Sequence, residues 1–433
     1  MELVQECRFL NTYPVSHYRW ANGFQAVLVE NPVSPVAAYM TFFTVGSASE
    51  NNQERGLAHF FEHMMFRETE TLGDGDFDRI MAEIGGVGLN AYTSYDTTVY
   101  HVNVPVAHLE RVISVEAERM VKLRLSPTLI ERERGAVLGE MKMYKDMPSE
   151  QHWTTLTATA YKSHPYGHPI IGYLEQVQGF KDEDFARFYR SHYAPNRALV
   201  AVAGGFDPKR TLALLDQAYG ELPQGSPRGA VAPEPGPTAG ERVEILHGKI
   251  STESLLLAIH APQFGNPAIP SLILWATLLT AGQSSPLYRR IVLDGLGTQV
   301  SATLTVPELM LFSPGLFVIE ASMQHGVRAE TAEQAIDQVL EEFLHGGIPE
   351  EELLRARNQI RLAFYGGTRT NMSLARQIGG YTLACDDPLY SERLLEQLAA
   401  VTAEELRRTL EDYLIGAPRV VVVQRPEGRS ERP

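Results

Sequence analysis

Residues 223–240 read PQGSPRGAVAPEPGPTAG, and this stretch limits what the rest of the chain can fold into. Proline locks φ and removes a backbone donor, glycine resists ordering, and almost nothing large and apolar is present to be buried. Neither helix nor strand is expected there. The stretch reads as a linker between two pieces of similar size, 1–222 and 241–433. A chain of 433 residues is also too long for one comfortable core.

The two pieces repeat one order of elements. In the first, FQAVLVE (24–30) and VAAYMTFFTVG (36–46) read as strands, followed by helical stretches near 57–67 and 76–84 that end at Gly85-Gly86. TVYHVNV (98–104) alternates as a half-buried strand. Residues 107–125 place Leu109, Val112, Ile113, Met120 and Leu123 on one helical face, and Ser126-Pro127 opens another helix. In the second piece SLLLAIHAP (254–262), PSLILWATLLTAG, VSATLTV, GLFVIEASM, a helix over 331–344 and EEELLRARNQIRLAF after Pro349 follow in the same order. This predicts an internal duplication of α+β type.

Charge and cysteine content exclude several functions. With 38 Lys+Arg against 53 Asp+Glu the formal charge is −15, which argues against nucleic acid or an anionic membrane as partner. Cys7 and Cys385 alone provide neither a disulfide framework nor a cysteine-rich metal site. The longest apolar run, 271–282, is too short to span a bilayer. The opening MELVQECRFLNTYP has no basic region followed by an apolar run, so a cytoplasmic protein is expected.

Chemistry concentrates in GLAHFFEHMMF, residues 56–66. On a helix His59 and His63 project from one face and can share a divalent cation. Glu62 lies beside that pair, where a carboxylate suits a general base for a water activated by the cation. This is the H-x-x-E-H pattern, the inverse of H-E-x-x-H. A catalytic zinc site needs a third protein ligand and an open position. Glu133 and Glu140, seven apart on the Pro127 helix, are both placed for it. Val137, Leu138 and Met141 around Glu140 imply partial burial, a cost that a cation would relieve.

These segments resemble the pitrilysin/insulinase family of inverzincin metallopeptidases, and most of all its mitochondrial processing peptidase-like branch. The resemblance spans nearly the whole chain, through GLAHFFEHMMF, NAYTSYDTTVY (90–100), ERERGAVLGEM (131–141), SHPYGHPIIG (163–172) and YAPNRALVAVAGGFDP (193–208). It implies two halves, each a mainly antiparallel sheet covered by helices, with one Zn²⁺ per chain. The 76 residues between His63 and Glu140 fit the family's gap, which makes Glu140 the third ligand. Glu133 matches a carboxylate that orients a zinc-binding histidine. Asn90 and Ala91 match the edge strand that pairs with substrate backbone, a mode of binding that tolerates many side chains.

The second half lacks this chemistry. PSLILWATLL carries neither His nor Glu, and the counterpart of Glu140 is Leu362. Family chains that complete the site carry an Arg and a Tyr in this half; the matching positions here are Ile291 and Thr298. The resemblance therefore implies the zinc-bearing member of a two-chain peptidase, a dimer with a paralogous chain that supplies the missing pair. Substrates would be unfolded or extended peptides. Two other readings compete with this one, a non-catalytic assembly subunit and a purely structural zinc.

Overall fold

The computed structural model of the protein describes residues 1–234, 236 and 239–427. Among these residues, two sheets form. The first contains β1 (Glu2–Phe9), β2 (Tyr13–Arg19), β3 (Gln25–Glu30), β4 (Val36–Phe43), β5 (Val87–Thr93), β6 (Thr98–Pro105) and β7 (Ala198–Gly204). The second contains β8 (Glu241–His247), β9 (Ser254–Ala261), β10 (Gly297–Leu304), β11 (Gly315–Met323) and β12 (Arg419–Pro426).

Strand order establishes the duplication. The first sheet runs β1-β2-β3-β7-β4-β6-β5 and the second, read from its far edge, β8-β12-β9-β11-β10. From β3 onward and from β8 onward the pairings agree: one parallel pair, then three antiparallel ones. The β1–β2 pair is an addition to the first sheet. Both halves are thus mainly antiparallel, as the resemblance implied. Burial follows position in the sheet: central β7, ALVAVAG, is buried along its length, whereas β5 at the edge is mostly exposed.

The first half contributes α1 (Leu57–Met64), α2 (Asp76–Glu83), α3 (Leu109–Val121), α4 (Pro127–Lys145), α5 (Pro148–Ala160), α6 (Leu174–Gly179), α7 (Asp182–His192) and α8 (Pro208–Tyr219). The second contributes α9 (Ala268–Thr280), α10 (Thr305–Glu308), α11 (Ala329–Gly346), α12 (Glu350–Gly366), α13 (Asn371–Cys385), α14 (Tyr390–Ala400) and α15 (Ala403–Thr409). Among the described residues, no helix is long and apolar enough to cross a membrane.

Contacts divide the chain into two discontinuous units. One comprises Met1–Lys142, His168–Val231 and Tyr365–Glu392; the other comprises Met143–Gly167, Ala232–Phe364 and Arg393–Pro433. Two helices account for the difference from a single cut at 223–240. Helix α13 packs on β4 and β7, and Gly379 approaches so closely that a Cβ there would lie 2.7 Å from Phe42 and 2.8 Å from Ala201. Helix α5 packs on β9 and β12, where His152 Nε2 donates to the Val422 carbonyl at 2.9 Å. Hydrophobic periodicity shows that such helices have a buried face, but not which sheet covers it.

Candidate metal centre

Helix α1 is held in the core of its unit by Leu57, Phe60, Phe61 and Met64, all fully buried, with Phe61 stacked on Phe188. The chain enters it through Gly56, whose φ of +103° and closeness to the Ile171 carbonyl leave no room for a side chain. The first turn is tied down by the buried Glu50 carboxylate, which accepts from the Gly56 N–H at 3.0 Å and the Ala58 N–H at 2.7 Å. Burial pushes Glu50 up to about 8, and those two bonds, which favour the ionised form, only partly oppose it.

This leaves a polar edge on an otherwise apolar helix. His59 is buried and His63 half-buried, with ring centroids 5.0 Å apart. Helix α4 brings Glu140 to both, its Oε2 lying 3.6 Å from His59 Nε2 and 3.3 Å from His63 Nε2. The three residues each present one donor atom, all within 4.8 Å of one another. Zinc bonds of about 2.0–2.1 Å in tetrahedral array separate neighbouring donors by about 3.4 Å, so these spacings fit a zinc ion with little movement. Two imidazoles and one carboxylate are also the donor types zinc takes when cysteine is absent. Burial lowers the affinity of His63 for a proton, but Glu140, Glu62 and Glu133 together raise it above its ordinary value. The pull of these carboxylates on a proton is available to a cation as well.

Glu133 is buried beside the same histidine, with Oε2 3.8 Å from His63 Nδ1. That is too long for a hydrogen bond. Its closer partner is Arg67, whose Nε lies 2.9 Å from Oε1, while Arg132 approaches at 3.3 Å. Arg67 and Glu50 were not anticipated from sequence: an Arg just past a helix and a Glu before it look like ordinary surface charges. Glu62 is half-buried and accepts from the Thr93 hydroxyl at 2.7 Å. Asn90 is exposed and Ala91 buried on β5, the strand at the sheet's edge, opposite His101 and Tyr100 respectively. The Ala91 N–H is held by Asn90 Oδ1 at 2.9 Å.

The other unit offers nothing equivalent. Helix α9, in the place of α1, buries Leu272, Leu274, Trp275, Leu278 and Leu279. Ile291 is fully buried, and a Cβ on Gly297 would meet its Cγ2 at 2.7 Å. Thr298 is exposed at the start of β10, its hydroxyl 3.4 Å from the Ser322 carbonyl.

A duplicated α+β fold, with an inverted histidine–glutamate helix in one half and an apolar helix in the other, defines the inverzincin class of metallopeptidase folds. Comparison with known proteins agrees. Residues 25–173 match the family described as insulinase (peptidase family M16), and residues 180–360 match the peptidase M16 inactive domain. The chain belongs to the insulinase (M16) peptidase family. It is 27% identical over 372 residues to zinc protease PqqE of Helicobacter pylori, covering 84% of this chain and 82% of that one. It is 24% identical over 404 residues to the mitochondrial-processing peptidase subunit beta of Saccharomyces cerevisiae, covering 89% and 85%. Among solved structures, a protease from Helicobacter pylori superposes with a TM-score of 0.89 at 23% identity, covering 98% of this chain and 100% of that one.

Proposed function

We propose that this chain is a zinc-dependent peptidase that hydrolyses extended or unfolded peptides. The observation that carries the reading is the convergence of His59, His63 and Glu140 within 4.8 Å, with Glu62 on the same helix. These three residues would hold one Zn²⁺ per chain. When bound, the ion supplies Lewis-acid polarisation of the peptide carbonyl and lowers the pKa of water. Glu62 takes the proton of the attacking water and delivers it to the leaving amine. Glu133, buried behind His63 and held by Arg67, supplies negative charge that favours a cation-binding imidazole.

Strand β5 presents the backbone at Asn90 and Ala91 to an extended peptide, which adds as a further strand. Pairing at the Ala91 N–H requires exchange of its present bond to Asn90 Oδ1. The buried Ile291 and the short Thr298 leave this chain without the Arg and Tyr donors of family members that complete the site. A paralogous chain supplies them in a two-chain chamber, in keeping with a relative named as a subunit. Cytoplasmic residence is part of this proposal.

The assembly-subunit reading is the weaker one, because the donor set and the adjacent base are both intact. The test is zinc content together with hydrolysis of a quenched peptide, by the chain alone and mixed with its paralogue. Zinc at one per chain, weak activity alone and a gain on mixing are expected. Zinc-loaded chain that stays silent in both settings contradicts the peptidase reading, and full activity alone contradicts the need for a partner.

A further inference from the structure

The surroundings of Glu62 hold a residue that the H-x-x-E-H pattern does not contain. Thr93, the last residue of β5, places its hydroxyl 2.7 Å from Glu62 Oε2. Among the described residues no other group hydrogen-bonds to Glu62, so this single bond sets where its carboxylate points. The direction of the bond follows from the neighbours. Thr98, 3.4 Å from the Thr93 hydroxyl, commits its own proton to the Val45 carbonyl at 2.9 Å. The Thr93 proton is left for the carboxylate.

The strand end that carries this hydroxyl is unusually well fixed. The turn 94–97 closes with the Ser94 N–H on the Thr97 carbonyl at 2.7 Å. It is then tied to the segment that leads into α1: Ser47 and Ala48 donate backbone N–H groups to the Ser94 and Tyr95 carbonyls at 3.2 and 2.7 Å. Gly46 lies so close that a Cβ would come 2.4 Å from the Ser94 carbonyl. Asp96 in the same turn is 1% exposed and is paired with Arg228 from the proline-rich linker.

We propose that Thr93 is a positioning residue for Glu62: its hydroxyl holds Oε2, leaving Oε1 free for the proton of the attacking water. A glutamate side chain has three rotatable bonds, and a fixed donor removes the need to order them at each turnover. Because Thr93 stands on the strand that also carries Asn90 and Ala91, a peptide added to β5 docks on the element that aims the base. The inference rests on the peptidase reading and extends it to a residue outside the metal helix.

The experiment compares Thr93→Val, which keeps the shape and loses the donor, with Thr93→Ser, which keeps the donor. Each is assayed as the full chain, reconstituted with zinc and mixed with the paralogue, on a quenched peptide; zinc content and the melting temperature of the metal-free protein are measured alongside. For Thr93→Val a fall in kcat of about 10- to 100-fold is expected, the usual cost of removing an outer supporting group. Its KM, zinc content and metal-free melting temperature should match wild type, and Thr93→Ser should restore kcat. Wild-type kcat in Thr93→Val, equal losses in both variants, or a loss that tracks lower zinc content or melting temperature would each overturn the proposal. The peptidase reading fails separately, through a silent wild type or an active Glu62→Gln, and the proposal falls with it.

Discussion

Helix α4 opens on a proline and α12 directly follows one, and the two hold matching places in the two halves, yet they reach out with opposite chemistry. Six and thirteen residues after Pro127 stand Glu133 and Glu140; six and thirteen after Pro349 stand Arg355 and Leu362. Glu140 meets the two histidines of α1, while Leu362 is 71% exposed and meets no polar partner among the described residues. Glu133 is buried against His63, whereas Arg355 donates to the Ala281 carbonyl at 2.6 Å and the Leu278 carbonyl at 3.3 Å. Those carbonyls belong to the C-terminal end of α9, where a cation satisfies orphan acceptors and the helix dipole. One scaffold position thus faces the histidine pair of α1 in one half and caps an apolar helix in the other. The fold supplies the placement, and one side chain at each position decides whether chemistry follows.

The largest effect expected from breaking this contrast is at Glu140. Glu140→Leu, which makes α4 resemble α12, should abolish stoichiometric zinc binding as read by metal analysis. The reciprocal Leu362→Glu should bind none, since α9 carries no histidine. Glu133→Gln should be milder, weakening zinc affinity or turnover by about 10–100-fold, because the residue supports His63 from behind. If Glu133→Gln lost more zinc than Glu140→Gln, the two roles would have to be exchanged.

Acid separates the halves in a smaller way. Helix α7, which precedes β7, ends in His192, whereas α15, which precedes β12, has no histidine. His192 Nδ1 accepts from Arg197 at 3.3 Å; burial, and then the Arg197 charge, lower the imidazole from 6.5 to about 4. A depressed histidine contributes stability that is fully present above 6.5 and is lost as pH falls toward 4. The loss is on the order of 2–3 kcal/mol. Denaturant midpoints measured across that range should fall, and His192→Gln should flatten the slope. The smallest effect is expected at Arg355: Arg355→Met should cost about 2 kcal/mol in the same assay, through the uncapped carbonyls of α9. Its zinc content should remain that of wild type.

How far the site could be read from sequence depended on how local its parts are. His59, Glu62 and His63 sit within one helical turn and a half, so spacing alone places them together. Glu133 and Glu140 share one face of α4, and spacing does not choose between them; the choice depends on which carboxylate faces both imidazoles, and that is tertiary. Thr93 lies 31 residues from Glu62 and reaches it only because β5 forms beside α1. Arg228 was hidden inside a stretch whose composition announced a linker. The duplication was visible in the order of elements, while the exchange of α5 and α13 was not, since an apolar helical face carries no address.

In the proposed reading Glu62 is the base at a zinc centre built from His59, His63 and Glu140. Glu62→Gln keeps the length of the side chain and its acceptor for Thr93, but cannot take a proton at neutral pH. Hydrolysis of a quenched peptide by zinc-reconstituted Glu62→Gln, in the presence of the paralogue, decides the role of that carboxylate. Full zinc content with no measurable turnover is expected; substantial hydrolysis by the zinc-loaded variant would rule out Glu62 as the base.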